Sequence, residues 1–384
     1  MVAQQGSRDP GGAPVITKDL YERKELRQLV RDFTRREIAP HLGQWERDGE
    51  IPRELHKKAA ELDLLGIGFE HGDLIDSVVL TEEIIQNGGS SGVMAALFTL
   101  GIAIPHIWQS GNEDLRERFA KPAIRGEKIG SLAVTEPGAG SDVASIRTKA
   151  VREGDVYVVN GEKTFITSGC RADFVTTAVR TGEPGYKGIS LLVIEDGFTR
   201  RKLDKMGWHC SDTAELHFDD VRVPVKNLVG EENQGFAQIM RQFQVERVTM
   251  AVEAYATAQR ALDLTVDWVR NRETFGKPLI KNQVVSHKLA GMAQKIDLTR
   301  TYVREVAARV NRGEDCVTEV CFAKNAAVEA CGEVVDTAVQ LHGGMGYMRE
   351  SEVERHYRDA RILGIGGGAS EVMTELAARR LGFA

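Results

Sequence analysis

Asp155-Val-Tyr-Val-Val-Asn160-Gly161-Glu-Lys-Thr-Phe-Ile-Thr167 is the stretch that settles the architecture. Two β-rich runs flank an Asn-Gly pair, the strongest short hairpin signal a sequence offers, so the spacing predicts a β-hairpin turning at 160–161. Gly188 to Ile194 and Ala214 to Val223 read as further strands, the latter with apolar Leu216, Phe218, Val221 and Val223. Residues 130–230 are therefore expected to form a middle antiparallel, barrel-like β-domain.

On either side the periodicity is helical. Leu26, Val30 and Phe33 recur at helical spacing, and 73–87 and 92–108 read as two more helices. The second of these is nearly uncharged, so it is buried or lines a cavity. Beyond the strands, 235–271, 282–312, 315–342 and 369–381 read as four long helices with short links. The expected class is α+β multidomain: a helical domain over 15–129, the β-domain, and a C-terminal four-helix bundle over 231–384. Residues 1–14, rich in Gly, Gln and Pro, read as a loose tail.

A chain of 384 residues with 42% hydrophobic and 28% charged side chains is ordinary for a multidomain globular protein. Its net charge of -6 argues against a globally basic nucleic-acid binder. No apolar run reaches a membrane span, and no secretory signal is visible, so a cytoplasmic location is expected. Five cysteines without a C-x-x-C pair suit reduced thiols and offer no zinc cluster. No metal is expected.

Three glycine-rich segments invite chemistry. Gly364-Ile-Gly-Gly-Gly-Ala369 superficially fits a dinucleotide fingerprint, but only fifteen residues follow it, too few for a βαβ unit. What survives is a permissive loop before a helix starting near Ser370, whose N-terminus suits an anion. Thr135-Glu-Pro-Gly-Ala-Gly-Ser-Asp142 is either an exposed turn or a row of backbone donors for a polar ring or phosphate. Gln340-Leu-His-Gly-Gly-Met-Gly-Tyr347 on its own reads as a helix C-cap and turn.

In this order, with Ala133–Asp142, Asn160–Gly169, Arg272-Glu-Thr-Phe-Gly276 and Tyr357-Arg-Asp-Ala-Arg361, the chain resembles the acyl-CoA dehydrogenase family from about Leu20 to Leu381. The resemblance implies bound FAD and an acyl-CoA substrate. It also implies α-proton abstraction with β-hydride transfer to flavin N5, giving a trans-2-enoyl-CoA. By resemblance, Leu132, Ala133, Val134, Thr135, Gly140 and Ser141 line the flavin, with Ser141 also near the CoA arm. Phe165, Ile166 and Thr167 form the other wall. Arg272, Phe275 and Gln283, with Gln340, Gly343 and Gly344, match positions that reach the flavin from a neighbouring subunit. A homo-oligomer, in the form of a dimer of dimers, is thus implied. Ala369, Ser370 and Glu371 match FAD-holding positions at the last helix. Electron-transfer flavoprotein is the implied electron acceptor.

Many relatives carry the catalytic glutamate where Gly367 stands. Its loss without replacement would forfeit about 10²–10⁴-fold in rate. A minority of the family places the acid on the first bundle helix, which here is Glu246, followed by Arg247 as a substrate-side residue. An isolated helix glutamate is most often solvated or ion-paired. Here Met240, Phe243, Val248 and Ala251 surround Glu246 at helical spacing, and a carboxylate on such a face gains basicity by burial. The Gly367 N–H keeps an implied role as a donor to the thioester carbonyl.

Lys205–Leu216 and Gly230–Gly235 resemble the long-chain enzymes, so a medium- or long-chain acyl-CoA is expected. Isovaleryl-type substrates and a non-catalytic FAD- or acyl-CoA-binding homologue are the alternatives. The uncharged 92–108 helix fits an acyl channel and core packing equally well. After Phe69, the connection Glu70-His71-Gly72 is shorter than relatives usually show.

Overall fold

A computed structural model of the chain describes residues 19–384; the expected tail over 1–14 lies outside them. Helices α1 (Lys24–Phe33), α2 (Leu42–Asp48), α3 (Arg53–Glu61) and α4 (Leu74–Gln86) come first. Asp73 caps α4: its carboxylate accepts the Ile75 and Asp76 N–H groups, and Asp76 returns a bond to the Asp73 N–H. The expected helix over 92–108 is three pieces, α5 (Ser91–Leu97), α6 (Leu100–Ala103) and α7 (Pro105–Gln109). The breaks fall at Phe98-Thr99 and before Pro105, whose ring forbids the preceding turn's hydrogen bond. Short helices α8 (Glu113–Leu115) and α9 (Lys121–Ile124) complete this part.

The strands are β1 (Gly130–Ala133), β2 (Lys149–Glu153), β3 (Val156–Thr167), β4 (Phe174–Arg180), β5 (Ile189–Ile194), β6 (Phe198–Lys202) and β7 (Thr213–Pro224). They form one sheet of order β1-β4-β2-β3-β7-β6, with β5 on the other edge of β4. The sheet is mixed, not antiparallel throughout: β1 runs parallel to β4, pairing Gly130 with Phe174 through Ala133 with Thr177. That arrangement follows because β1 enters from the helical domain and returns to β4 only after the β2–β3 hairpin.

Asn160-Gly161 does not turn the chain. β3 passes straight through it as a bulge against β7, and the β2–β3 turn is at Gly154-Asp155, where Gly154 has φ +65°. Asn160 is instead spent across the sheet: its amide bonds the Asp220 carboxylate at 3.0 Å and accepts the Asp220 N–H at 2.9 Å. Gly161, at φ +143°, lies where a Cβ would stand 2.7 Å from Thr148 Cα, so the glycine answers to close backbone approach.

The C-terminal helices are α10 (Gly235–Asn271), α11 (Gln283–Asn311), α12 (Val317–His342), α13 (Glu352–Ala360) and α14 (Ser370–Arg380). A two-residue hairpin, β8 (Glu273–Thr274) with β9 (Lys277–Pro278), links the first two. The four expected long helices are present, and α13 is added between the last two. A buried ion cluster locks the bundle to the N-terminal helices. The Glu82 carboxylate on α4 accepts from Tyr255 Oη at 2.6 Å, Arg304 Nε at 2.9 Å and Arg27 at 2.7 Å. Glu82→Ala would leave two guanidiniums and a phenol without their shared acceptor. We expect a loss of about 3 kcal/mol or more, read as a lowered thermal midpoint at unchanged FAD content.

Candidate active site

One cavity of about 1720 Å³ lies where the sheet, the N-terminal helices and the bundle meet. A pocket for a single small ligand is roughly 300–1,000 Å³, so this one has room for two substantial ligands side by side. Its walls bring most of the expected residues together. From the β1 side come Leu132, Val134, Thr135, Gly140 and Ser141. Ala133 is the exception: strand alternation turns its side chain into the sheet core with Val159 and Ile166. From β3 come Phe165, Ile166 and Thr167. Phe165 has φ +60° within the bulge between Lys163 and Ile166, and its ring stays 69% exposed. A strained backbone that holds an aromatic ring out of the core supplies a flat apolar face for a planar group such as a flavin.

The loop from β1 is pinned from behind. Lys163 Nζ, fully buried, bonds the Glu136 carboxylate at 2.8 Å and Val134 O at 2.9 Å. Glu136 also accepts the Arg147 and Thr148 N–H groups, and the Thr164 N–H bonds Thr135 O. Burial lowers the Lys163 ammonium to about 8, with Glu136 working against that fall. For Glu136 burial pushes upward, yet Lys163 and the hydrogen bonds win and hold its pKa below the usual value. The segment that faces the cavity is thus fixed before any ligand arrives.

From the bundle, Glu246, Arg247 and the Gly366–Ala369 loop reach the same space, joined by Glu371 at the start of α14. Ser370 has its carbonyl taken by Asn325 and does not line the cavity. Lys324 on α12 donates to Gly366 O at 2.7 Å and Gly368 O at 2.5 Å, while Arg247 Nε donates to Gly367 O at 3.1 Å. Three consecutive carbonyls are thereby committed to cations. Gly367 and Gly368 take φ values of +61° and +102°, open to glycine at no steric cost. Among the described residues, no acceptor takes the Gly367 N–H.

Glu246 meets that loop. A Cβ placed on Gly367 would stand 3.5 Å from Glu246 Oε1 and would collide with Met250 Sδ. Glu246 Oε2 is buried without a hydrogen-bond partner, and burial raises its pKa above the ordinary value although Arg247 and Lys324 pull it down.

The remaining expected residues lie elsewhere. Arg272 and Phe275 at the β8–β9 hairpin, Gln283 at the start of α11, and Gln340, Gly343 and Gly344 at the end of α12 do not line this chain's cavity. All six are exposed, Phe275 completely, and the two groups are neighbours because Trp268 stacks on His342 with centroids 5.1 Å apart.

Sequence reasoning passed over Lys163, Glu136 and Lys324. A lysine among helical or strand neighbours looks like a solvated one, and only the fold shows which carbonyls it must satisfy. Among the described residues, no three His, Cys, Asp or Glu side chains are grouped to hold a metal ion, and no helix is long and apolar enough to cross a membrane. Lys324→Met would strip two buried carbonyls of their donor. The expected cost is about 2 kcal/mol, measured as a lowered midpoint in chemical denaturation, together with weaker flavin retention.

Comparison with known proteins agrees with this geometry. Family models match in sequence: acyl-CoA dehydrogenase N-terminal domain over 21–127, middle domain over 131–221 and C-terminal domain over 233–382. A crystal structure from Mycobacterium abscessus, described as a probable acyl CoA dehydrogenase, is 63% identical; it superposes with a TM-score of 0.93 over 94% of this chain and 98% of that one. A probable acyl-CoA dehydrogenase of Bacillus subtilis is 38% identical over 94% of this chain and 98% of its own. The mouse mitochondrial long-chain specific acyl-CoA dehydrogenase is 37% identical over 93% and 85%. The chain belongs to the acyl-CoA dehydrogenase family, whose members are FAD-dependent flavoprotein oxidoreductases.

Proposed function

We propose that this chain oxidises medium- or long-chain acyl-CoA to trans-2-enoyl-CoA with Glu246 as the general base. The observation that carries the reading is the convergence of Glu246 Oε1 on the place a side chain at 367 would occupy. Relatives with the acid on the loop and this chain with the acid on α10 would then present a carboxylate to the same point from two directions.

FAD, when bound, accepts the β-hydrogen as hydride at N5. The chain's own part is binding and proton transfer. Thr135, Ser141, Phe165 and Thr167 line the wall that would hold the ring system, with Ala369 and Glu371 at the α14 start. Glu246 removes the α-proton, and the unpaired Gly367 N–H stands ready to bond the thioester oxygen as negative charge develops on it. Lys324 holds the Gly366 carbonyl, whose peptide plane carries that N–H, and Arg247 acts on the substrate side by fixing the next carbonyl, that of Gly367. Burial favours the uncharged acid, so the carboxylate form gains proton affinity and becomes a stronger base.

Six exposed residues at the β8–β9 hairpin and the α12 end are the positions expected to serve a neighbouring subunit's flavin. Their distance from this chain's own cavity lining supports a homo-oligomer, built as a dimer of dimers. An electron-transfer flavoprotein is the electron acceptor we propose. The five unbridged cysteines suit the cytoplasm. Support for longer substrates comes from the cavity's volume, from its apolar walls, and from the long-chain specific relative. The short connection after Phe69 folds tightly, with Gly68 N–H on His71 O, and leaves Phe69 at the cavity wall against Trp108.

Glu246→Gln is expected to retain FAD while anaerobic bleaching by palmitoyl-CoA slows by about 10²–10⁴-fold. Bleaching at the wild-type rate would remove Glu246 from the mechanism. Because only the ionised carboxylate can accept the proton, kcat/KM of the wild type should fall with decreasing pH. The midpoint of that fall should lie above 4.5, the ordinary value for a glutamate. A fall centred at or below it would place the base elsewhere.

A further inference from the structure

Seven residues beyond the proposed base, α10 presents a second carboxyl to the same cavity. Seven residues are close to two helical turns, so Glu253 shares the Glu246 face about 10 Å further along the axis. It lines the cavity, is 8% exposed, and its Oε2 is buried with no hydrogen-bond partner. Four hydroxyls that reach the cavity from the helical elements are differently placed. Ser77 bonds Asp73 O at 3.3 Å, Thr81 bonds Ser77 O at 2.9 Å, Thr99 bonds Ala95 O at 2.6 Å and Thr249 bonds Val245 O at 3.2 Å. Each spends its proton on its own helix. A buried carboxyl left unpaired in an apolar wall costs stability unless something completes it.

We infer that Glu253 is a specificity-determining residue that hydrogen-bonds the distal end of the acyl chain, so that the substrate class is an acyl-CoA bearing a hydroxyl remote from the thioester. The inference rests on the dehydrogenase reading above and names the substrate of that same site. The protonation state favours a hydroxyl. Burial pushes the Glu253 carboxyl up to about 8, reinforced by the like charges of Glu246 and Asp359. A protonated carboxyl both donates and accepts, as an alcohol does, and the pair can satisfy each other fully. A chain ending in methyl would leave the carboxyl as unsatisfied as it stands. Sites built to bond a substrate hydroxyl discriminate strongly against the analogue lacking it.

The test uses the FAD-loaded enzyme and unreactive CoA thioethers, octyl-, decyl- and dodecyl-CoA, each with and without a terminal hydroxyl, titrated calorimetrically. At the chain length that reaches Glu253, the hydroxylated member should bind about tenfold or more tightly. Glu253→Gln, which keeps a donor and an acceptor, should retain most of that ratio; Glu253→Leu should abolish or invert it. Equal affinities across the series, or a ratio that survives in Glu253→Leu, would overturn the proposal. Binding without preference, alongside flavin bleaching by palmitoyl-CoA, sinks this inference alone. Failure of every thioether to bind sinks the dehydrogenase reading with it. Should the leucine variant misfold, the wild-type ratio together with Glu253→Gln still decides the matter.

Discussion

Two buried cations hold three consecutive carbonyls, and the shape of the site follows from that. With Lys324 on Gly366 and Gly368 and Arg247 on Gly367, the loop is drawn against α10 and α12, and its glycines adopt left-handed backbone. Drawn in this far, it packs its glycines on Met250, which a Cβ at 367 would have to displace. The carboxylate that meets the loop is the one on the helix, Glu246. The helix can supply it because α10 is itself immobilised, tied through Tyr255 to Glu82 and thence to α1 and α11. Loop, base and helix form a single mechanical unit.

Much of this was legible in the amino-acid sequence, for physical reasons. Apolar neighbours at helical spacing mark the face of Glu246 as covered, and its Oε2 is buried; the pairing of an acid at 246 with its absence at 367 comes from the family resemblance. The long bundle helices announce themselves because period 3.6 persists over many turns. Asn160-Gly161 misled because local propensity was overridden: the pair is used for a bulge and a cross-strand bond to Asp220, while Gly154 makes the turn. The antiparallel expectation failed at β1, since parallel pairing with β4 depends on a connection made outside both strands.

Other features left no mark that a sequence could show. Lys163 and Lys324 look like surface lysines, yet both are fully buried, Lys163 on the Val134 carbonyl and the Glu136 carboxylate and Lys324 on the Gly366 and Gly368 carbonyls, partners remote from each lysine in sequence. Ala133 sits inside a motif expected to face the cavity, but strand alternation hides its side chain. Residues at the hairpin and the α12 end, from Arg272 to Gly344, are exposed and stand apart from this chain's own cavity, a separation that local sequence patterns do not display.

The two carboxyls on α10 illustrate how one helix can hold opposite protonation states. Both are lifted by burial, but their surroundings differ in sign. Glu246 has Arg247 and Lys324 near it, and their positive charge restrains the rise. Around Glu253 the charged influences are Glu246 and Asp359, both negative, and they add to the effect of burial. Negative charge on Glu246 is thus one of the influences that keep the proton on Glu253. Environments that push two titratable groups apart assign one to accept a proton and the other to keep one. The same cations that shape the glycine loop thus also restrain the rise at Glu246, and neither is among the influences on Glu253.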